Sequence, residues 1–154
     1  MCVKNLFVSV KTCHPNAKVP KYATLGSSGL DLCAVEDVVL KPQTTTLVST
    51  GIRMSIPEGY EGQLRSRSGF SSKNNVILIN GIGTIDSSYN GEIKVAMYNL
   101  NLDKEVEIKQ GQAIAQLVIC PVIQAVLNIL PEDQELDETE RGSGGFGSTD
   151  GPKQ

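Results

Sequence analysis

Short apolar runs follow one another along this chain with almost no helical stretch between them. Asn5–Lys11 reads NLFVSVK and alternates, while Val38–Leu40 and Thr44–Ser49 are rich in β-branched side chains. Asn75–Ile79 (NVILI), Glu92–Leu100 (EIKVAMYNL), Glu105–Ile108 and Ala113–Ile119 repeat the habit. Such residues suit a half-buried pleated surface, and a period of two sends alternate side chains into a core. Turn chemistry separates the runs at Leu40-Lys41-Pro42, Ile56-Pro57-Glu58-Gly59, Tyr89-Asn90-Gly91 and Lys109-Gln110-Gly111. Gly, Pro and Asn reverse a chain there at little steric cost. The pattern predicts an all-β sandwich or barrel with one short helix over Ser68–Asn74.

The patterning stops at Pro131, which divides the 154 residues into a β-rich core, 1–131, and a tail, 132–154. The tail opens with EDQELDETE, whose six carboxylates account for much of the net charge of −3. It continues as RGSGGFGSTD, and five of the fifteen glycines lie beyond Arg141. Gly142 to Gly147 spell G-x-G-x-x-G, but a dinucleotide-binding turn needs a strand before it and a helix after it, and neither is present. A plain linker would use Gly and Ser without an Arg and a Phe. By composition the segment reads as a disordered terminus, costly to order, and the Arg and Phe leave its role open at this point.

Composition narrows the chemistry. The acidic balance argues against nucleic-acid binding by general electrostatic attraction, and no apolar run approaches the roughly 18 residues of a membrane span. Outside the acidic run the chain is near neutral or slightly basic, so an anion site could exist. Cys2, Cys13, Cys33 and Cys120 form no C-x-x-C pair. With no secretory leader visible, reduced thiols in a cytosolic or nuclear setting are expected. His14, beside Pro15, is the only histidine, which removes Ser-His-Asp and Cys-His catalysis by the usual routes. Any metal would need oxygen ligands, which points to magnesium.

Five segments then stand in one order: SGLDLCA (28–34), RSGFSSK (67–73), NGIGTIDSSYNGEIKV (80–95), GQAIAQL (111–117) and RGSGGFGST (141–149). Together they resemble the five motifs of the homotrimeric deoxyuridine triphosphatase (dUTPase) family, over nearly all of Ser28 to Thr149. The resemblance implies a jelly-roll-like subunit in a closed trimer with shared sites. It also implies hydrolysis of dUTP to dUMP and pyrophosphate, which keeps uracil out of DNA and supplies dUMP.

The resemblance implies roles residue by residue. Asp86 would be the catalytic carboxylate that activates water. Asn80, Gly83, Thr84 and Ile85 would form a hairpin pocket whose backbone pairs with uracil, with Tyr89 against the deoxyribose and Lys94 among the substrate-binding residues. Leaving buried polar groups unpaired can reject a wrong base by roughly 10⁴–10⁵. Arg67, Ser68, Gly69 and Gln116 would hold phosphates, arginine's planar fork suiting their oxygens. Mg²⁺ would sit mainly on the substrate phosphates, with Asp31 reaching it through water. The tail would be an arm that closes over the site: Arg141 would take the γ-phosphate, Phe146 would stack on uracil, and Gly147, Ser148 and Thr149 would wrap the phosphates.

The sequence departs from the family pattern in places. Ser66 stands where proline usually precedes the arginine, Phe70 replaces leucine, and Gln112 and Ala113 replace a charged pair; Arg65 is an additional cation. Three other readings stay open. A deoxycytidine triphosphate deaminase would release ammonia from dCTP, but its glutamate motif is not apparent. A catalytically idle binding module would lack turnover, and a generic sandwich would bind no nucleotide.

Overall fold

The computed structural model describes residues 5–145. In chain order its strands are β1 (Ser9–Thr12), β2 (Lys21–Tyr22), β3 (Leu30–Cys33), β4 (Val38–Leu40), β5 (Thr45–Ser55) and β6 (Tyr60–Ser66). After α1 (Ser68–Asn74) come β7 (Val76–Leu78), β8 (Gly83–Ile85), β9 (Ile93–Asn99), β10 (Val106–Ile108) and β11 (Ala113–Pro121). They form a four-stranded sheet, β1-β5-β9-β7, a five-stranded sheet, β2-β3-β11-β6-β8, and a two-stranded sheet, β10-β4. Every pairing is antiparallel. The chain separates into two units, Met1–Ile123 and Gln124–Gln154, and the strands all belong to the first.

Alternation explains the core. Ile93, Val95 and Met97 point inward along β9 while Lys94 stays exposed. Leu32, Leu40, Val48, Ile52, Ile108, Ile114 and Leu117 meet them from the other strands. Asn99 is fully buried yet satisfied: its amide donates to the Leu40 and Lys104 carbonyls, and its oxygen accepts from Asn101. Such pairing avoids the penalty of an unpartnered polar group in the interior.

The helix has the bounds predicted. Ser72 and Asn74 bond back to the Ser68 and Phe70 carbonyls, Asn75 ends it in the left-handed region at φ 53°, and the buried Phe70 anchors it to the core. Phe70 therefore serves packing.

β1 begins only at Ser9 and the two-residue β2 was not expected; three larger features also differ from expectation. β5 runs on to Ser55 through a bulge, because Ile52 and Met54 resume the inward pattern beyond it. β3 and β6 form where no apolar run announced them: β6 turns Gly62 and Leu64 inward and leaves Gln63 and Arg65 outside. The segment read as a hairpin is a corner. β7 pairs with β9 and β8 with β6, so Asn80-Gly81 carries the chain from one sheet to another. Gly81 at φ 68° makes that turn, a conformation a β-carbon would strain.

Candidate active site

Ten of the residues singled out above fall in two clefts, while Asn80, Gly83 and Arg141 line neither. One, of about 410 Å³, is lined by Thr84, Ile85, Asp86, Tyr89, Glu92, Ile93 and Lys94. β8 ends at Ile85, so Asp86 stands at the lip, exposed, and its carboxylate meets no donor among the described residues. The Tyr89 amide donates to the Asp86 carbonyl at 3.0 Å, and the Tyr89 hydroxyl to the Glu92 carbonyl at 2.8 Å. The ring lies across Gly91, where a Cβ would fall 2.5 Å from the Tyr89 hydroxyl oxygen. Glu92 differs from Asp86: Oε1 accepts the Gly51 amide at 2.9 Å and Oε2 stands 3.7 Å from Lys94 Nζ. Sequence reasoning passed over Glu92, whose only signal was an acid directly after a turn glycine.

The other cleft, of about 350 Å³, is lined among others by Ser28, Gly29, Asp31, Arg67, Ser68, Gly69 and Gln116. Arg67 leaves the end of β6, and its Nε meets Asp31 Oδ1 at 2.9 Å. Its Nη2 reaches Asp31 Oδ2 at 3.4 Å and Nη1 the Ala113 carbonyl at 3.0 Å. Three of five guanidinium donors are thus engaged and two are left over. Asp31 and Ala113 hold the plane of the fork, which is what bidentate recognition of an oxyanion requires. Gln116 Nε2 donates to the Ser66 carbonyl at 2.9 Å, while its oxygen lies over Gly29. The serine at 66 thus still serves through its backbone. Arg65 is committed to Gln63, at 3.2 and 2.6 Å. Gln112 accepts the Lys109 amide and closes the turn that feeds β11.

Gly83 is buried against Leu64, and a Cβ on it would lie 3.1 Å from Asn80 Nδ2, so the corner fits tightly. In the second unit, Arg141 Nε donates to the Gly144 carbonyl at 2.7 Å and the guanidinium is exposed. Phe146, Gly147, Ser148 and Thr149 lie outside the described residues. Among the described residues no three His, Cys, Asp or Glu side chains come together as a metal cage, and no helix is long and apolar enough to cross a membrane. Burial pushes the Cys33 thiol, two residues beyond Asp31, up from its ordinary value, with Lys18 and Arg67 only partly opposing it.

One cleft offers an unengaged acid and the other an oriented guanidinium, and the two stand apart on one antiparallel β scaffold. Comparison with known proteins is specific. The dUTPase family profile matches residues 15–150. A deoxyuridine 5'-triphosphate nucleotidohydrolase of a Hydrogenobaculum species is 52% identical over 141 residues, covering 91% of this chain and 95% of that protein. The one from Helicobacter pylori is 49% identical over 142 residues, 92% of this chain and 95% of its own. Among solved structures, a mutant Staphylococcus bacteriophage 80alpha dUTPase with dUpNHpp superposes with a TM-score of 0.84 at 30% identity, covering 94% of this chain and 99% of that one. A mutant dUTPase from phage phi11 of S. aureus, described for the coordination of a structural Mg(II) ion, gives 0.75 at 29%, over 83% of this chain and 99% of its own. The chain belongs to the dUTPase family.

Proposed function

We propose that the protein hydrolyses dUTP to dUMP and pyrophosphate, with Asp86 as the base for a water that attacks the α-phosphorus. The observation that carries this reading is the contrast between the two carboxylates of the first cleft. Glu92 has both oxygens committed, whereas Asp86 is exposed and unengaged among the described residues. A base must reach the water and have a free lone pair to take its proton. As the new P–O bond forms, the bond to the bridging oxygen breaks, pyrophosphate leaves, and the proton goes to Asp86. The one histidine lines neither cleft: His14 Nδ1 accepts the Asn16 amide in the loop after β1.

The base end is assigned to the corner at Asn80–Gly83 with Thr84 and Ile85. Its main chain pairs with uracil, a 5-methyl group is excluded by steric clash, and Tyr89 lies along the sugar. Lys94, Arg67, Ser68, the Gly69 amide and Gln116 serve the phosphates. Asp31 is the one carboxylate among the residues that line the Arg67 cleft, and both its oxygens face the guanidinium. A hard cation fits there as a companion of the phosphates, held mainly by them, with Asp31 reaching it through water. Bound magnesium neutralises charge on the phosphates and the leaving group.

The register supports a shared site in a jelly-roll-like trimer. Ile85 pairs with Gly62, so Asp86 sits at the level of Glu61, while Arg67 lies six residues farther along β6. At about 3.3 Å per residue the two are roughly 20 Å apart in one chain, too far to serve one triphosphate. Arg67 of one copy and Asp86 of another can meet. The second unit adds support: Val126, Leu127 and Ile129 are 98%, 84% and 89% exposed, and a cluster of bared apolar side chains fits a surface that another chain covers. The arm from Arg141 onward then closes over a site built by its neighbours. Pyrophosphate release from dUTP, dTTP, dCTP and UTP, with and without magnesium, tests the reading. Asp86→Asn should bind dUTP and not turn it over; near-normal turnover in that variant would refute the base.

A further inference from the structure

Directly behind the Asp86 cleft lies a strand irregularity with no part in the chemistry above. The β5–β9 ladder breaks between Ser49 and Ile52. Thr50 is fully buried there, its hydroxyl donating to the Ile93 carbonyl and accepting from the Ile52 amide. Gly51 adopts φ 64°, and a Cβ on it would fall 2.7 Å from His14 Cβ and 2.8 Å from Ala17 Cβ. The bulge is therefore pinned on one side by the His14–Ala17 loop, as bulges that re-aim a neighbouring segment are.

On the other side it grips the sugar end of the site. The Gly51 amide donates to Glu92 Oε1, Glu92 Oε2 stands beside Lys94, and the Glu92 carbonyl accepts the Tyr89 hydroxyl. Two residues farther along β5, Arg53 Nε donates to the Asn90 carbonyl at 2.6 Å. Tyr89-Asn90-Gly91 alone would be a pliable turn. Fastened at Asn90 by Arg53 and at Glu92 by Gly51, it holds the aromatic ring in one place. Rejecting a single 2′-hydroxyl is a matter of less than an atom's width, so the rigidity of the ring's support decides it.

We propose that Glu92 is a positioning residue for sugar selection: its carboxylate, anchored on the Gly51 bulge and seconded by Arg53, sets the Tyr89 ring where ribose does not fit. This rests on the first cleft being the nucleotide site. Glu92→Ala and Arg53→Ala should each lower the ratio of kcat/KM for dUTP over UTP by about tenfold or more, since sub-ångström misplacement is costly. Part of that loss should appear as a rise in kcat/KM for UTP, which a general weakening of the site would not produce. Glu92→Gln keeps an oxygen acceptor for the Gly51 amide and should retain most of the ratio.

A purely structural acid would lower the melting temperature and leave the ratio alone. An unchanged ratio in folded Glu92→Ala overturns the role, as does a Glu92→Gln variant that falls as far as the alanine. If Glu92→Ala does not fold, an unchanged ratio in Arg53→Ala overturns it equally. A wild-type protein that turned over no dUTP would remove the cleft's assignment, and the role of Glu92 with it.

Discussion

Gly29 and Gln116 share space that only one side chain can fill. A Cβ on Gly29 would fall 2.6 Å from Gln116 Oε1 and 2.9 Å from its Cβ. Gly29 enters β3 and Gln116 lies on the paired strand β11, directly opposite Asp31. The missing side chain of one residue is what lets the amide of the other lie in the Arg67 cleft, tied to the Ser66 carbonyl.

Gly29→Ala should therefore displace Gln116 without unfolding the protein. The amide end of Gln116 can swing out, while its Cβ, 2.9 Å away, can retreat only if β11 gives slightly. The expected result is a rise in KM for dUTP of about tenfold, from a misplaced phosphate contact, with a smaller effect on melting temperature. Steady-state kinetics beside thermal unfolding checks this. Unchanged KM would mean that Gln116 has no part in phosphate binding.

Much of the fold could be read from periodicity. The helix Ser68–Asn74 and the strand Val38–Leu40 have the predicted bounds, because a buried Phe70 and a β-branched run are local signals. β3 and β6 escaped notice because they bury glycine and leucine while presenting Asp31, Gln63 and Arg65 outward. The corner at Asn80–Gly81 looked like a hairpin since turn residues give a reversal but not the partner of each strand. The candidate site residues were named through the resemblance of five segments. What joins them was not legible: the Asp31–Arg67 ion pair spans 36 residues and the Gly51–Glu92 bond 41. Composition and spacing carry no trace of such distant pairings.

The distance between Asp86 and Arg67 along β6 leads to a complementation test. Asp86→Asn and Arg67→Ala should each be inactive or nearly so alone. Unfolded together and refolded as a mixture, they should regain activity, because a site that draws its carboxylate from one variant and its guanidinium from the other is intact. A mixture as inactive as its components would place both residues of a site in one chain.

Removal of residues 141–154 should leave the strands folded and reduce turnover severely. The second unit contributes nothing to the three sheets, so circular dichroism and melting temperature should stay close to those of the full chain. Phe146→Ala alone should weaken nucleotide binding by about 1–3 kcal/mol, the usual worth of an aromatic stacked on a base. A truncated chain as active as the whole would exclude a catalytic arm.

Asp37 links the turn before β11 to the loop after β3, and its charge makes that link sensitive to pH. Its Oδ1 accepts the Gln110 amide at 2.8 Å and its Oδ2 pairs with Lys109 at 3.3 Å, while Lys109 also meets Glu107 at 3.0 Å. The Gln110 amide, then Lys109, hold the Asp37 carboxyl below its ordinary value, and Glu107 and Asp37 raise the Lys109 ammonium. A depressed carboxyl contributes stability that is present above its unfolded pKa, near 3.9, and lost as pH falls through the lower folded value. The ammonium acts at the other end: its contribution is full below its unfolded pKa, near 10.4, and lost as pH rises through the higher folded one. Asp37→Asn should therefore melt slightly below the wild type at pH 7, with the gap closing once acid has protonated the wild-type carboxyl. Because the groups are exposed, added salt should shrink the gap at neutral pH as well. Thermal unfolding across pH 2–8 at two ionic strengths measures both trends, and a gap independent of pH would mean that the Asp37 charge contributes nothing to the link.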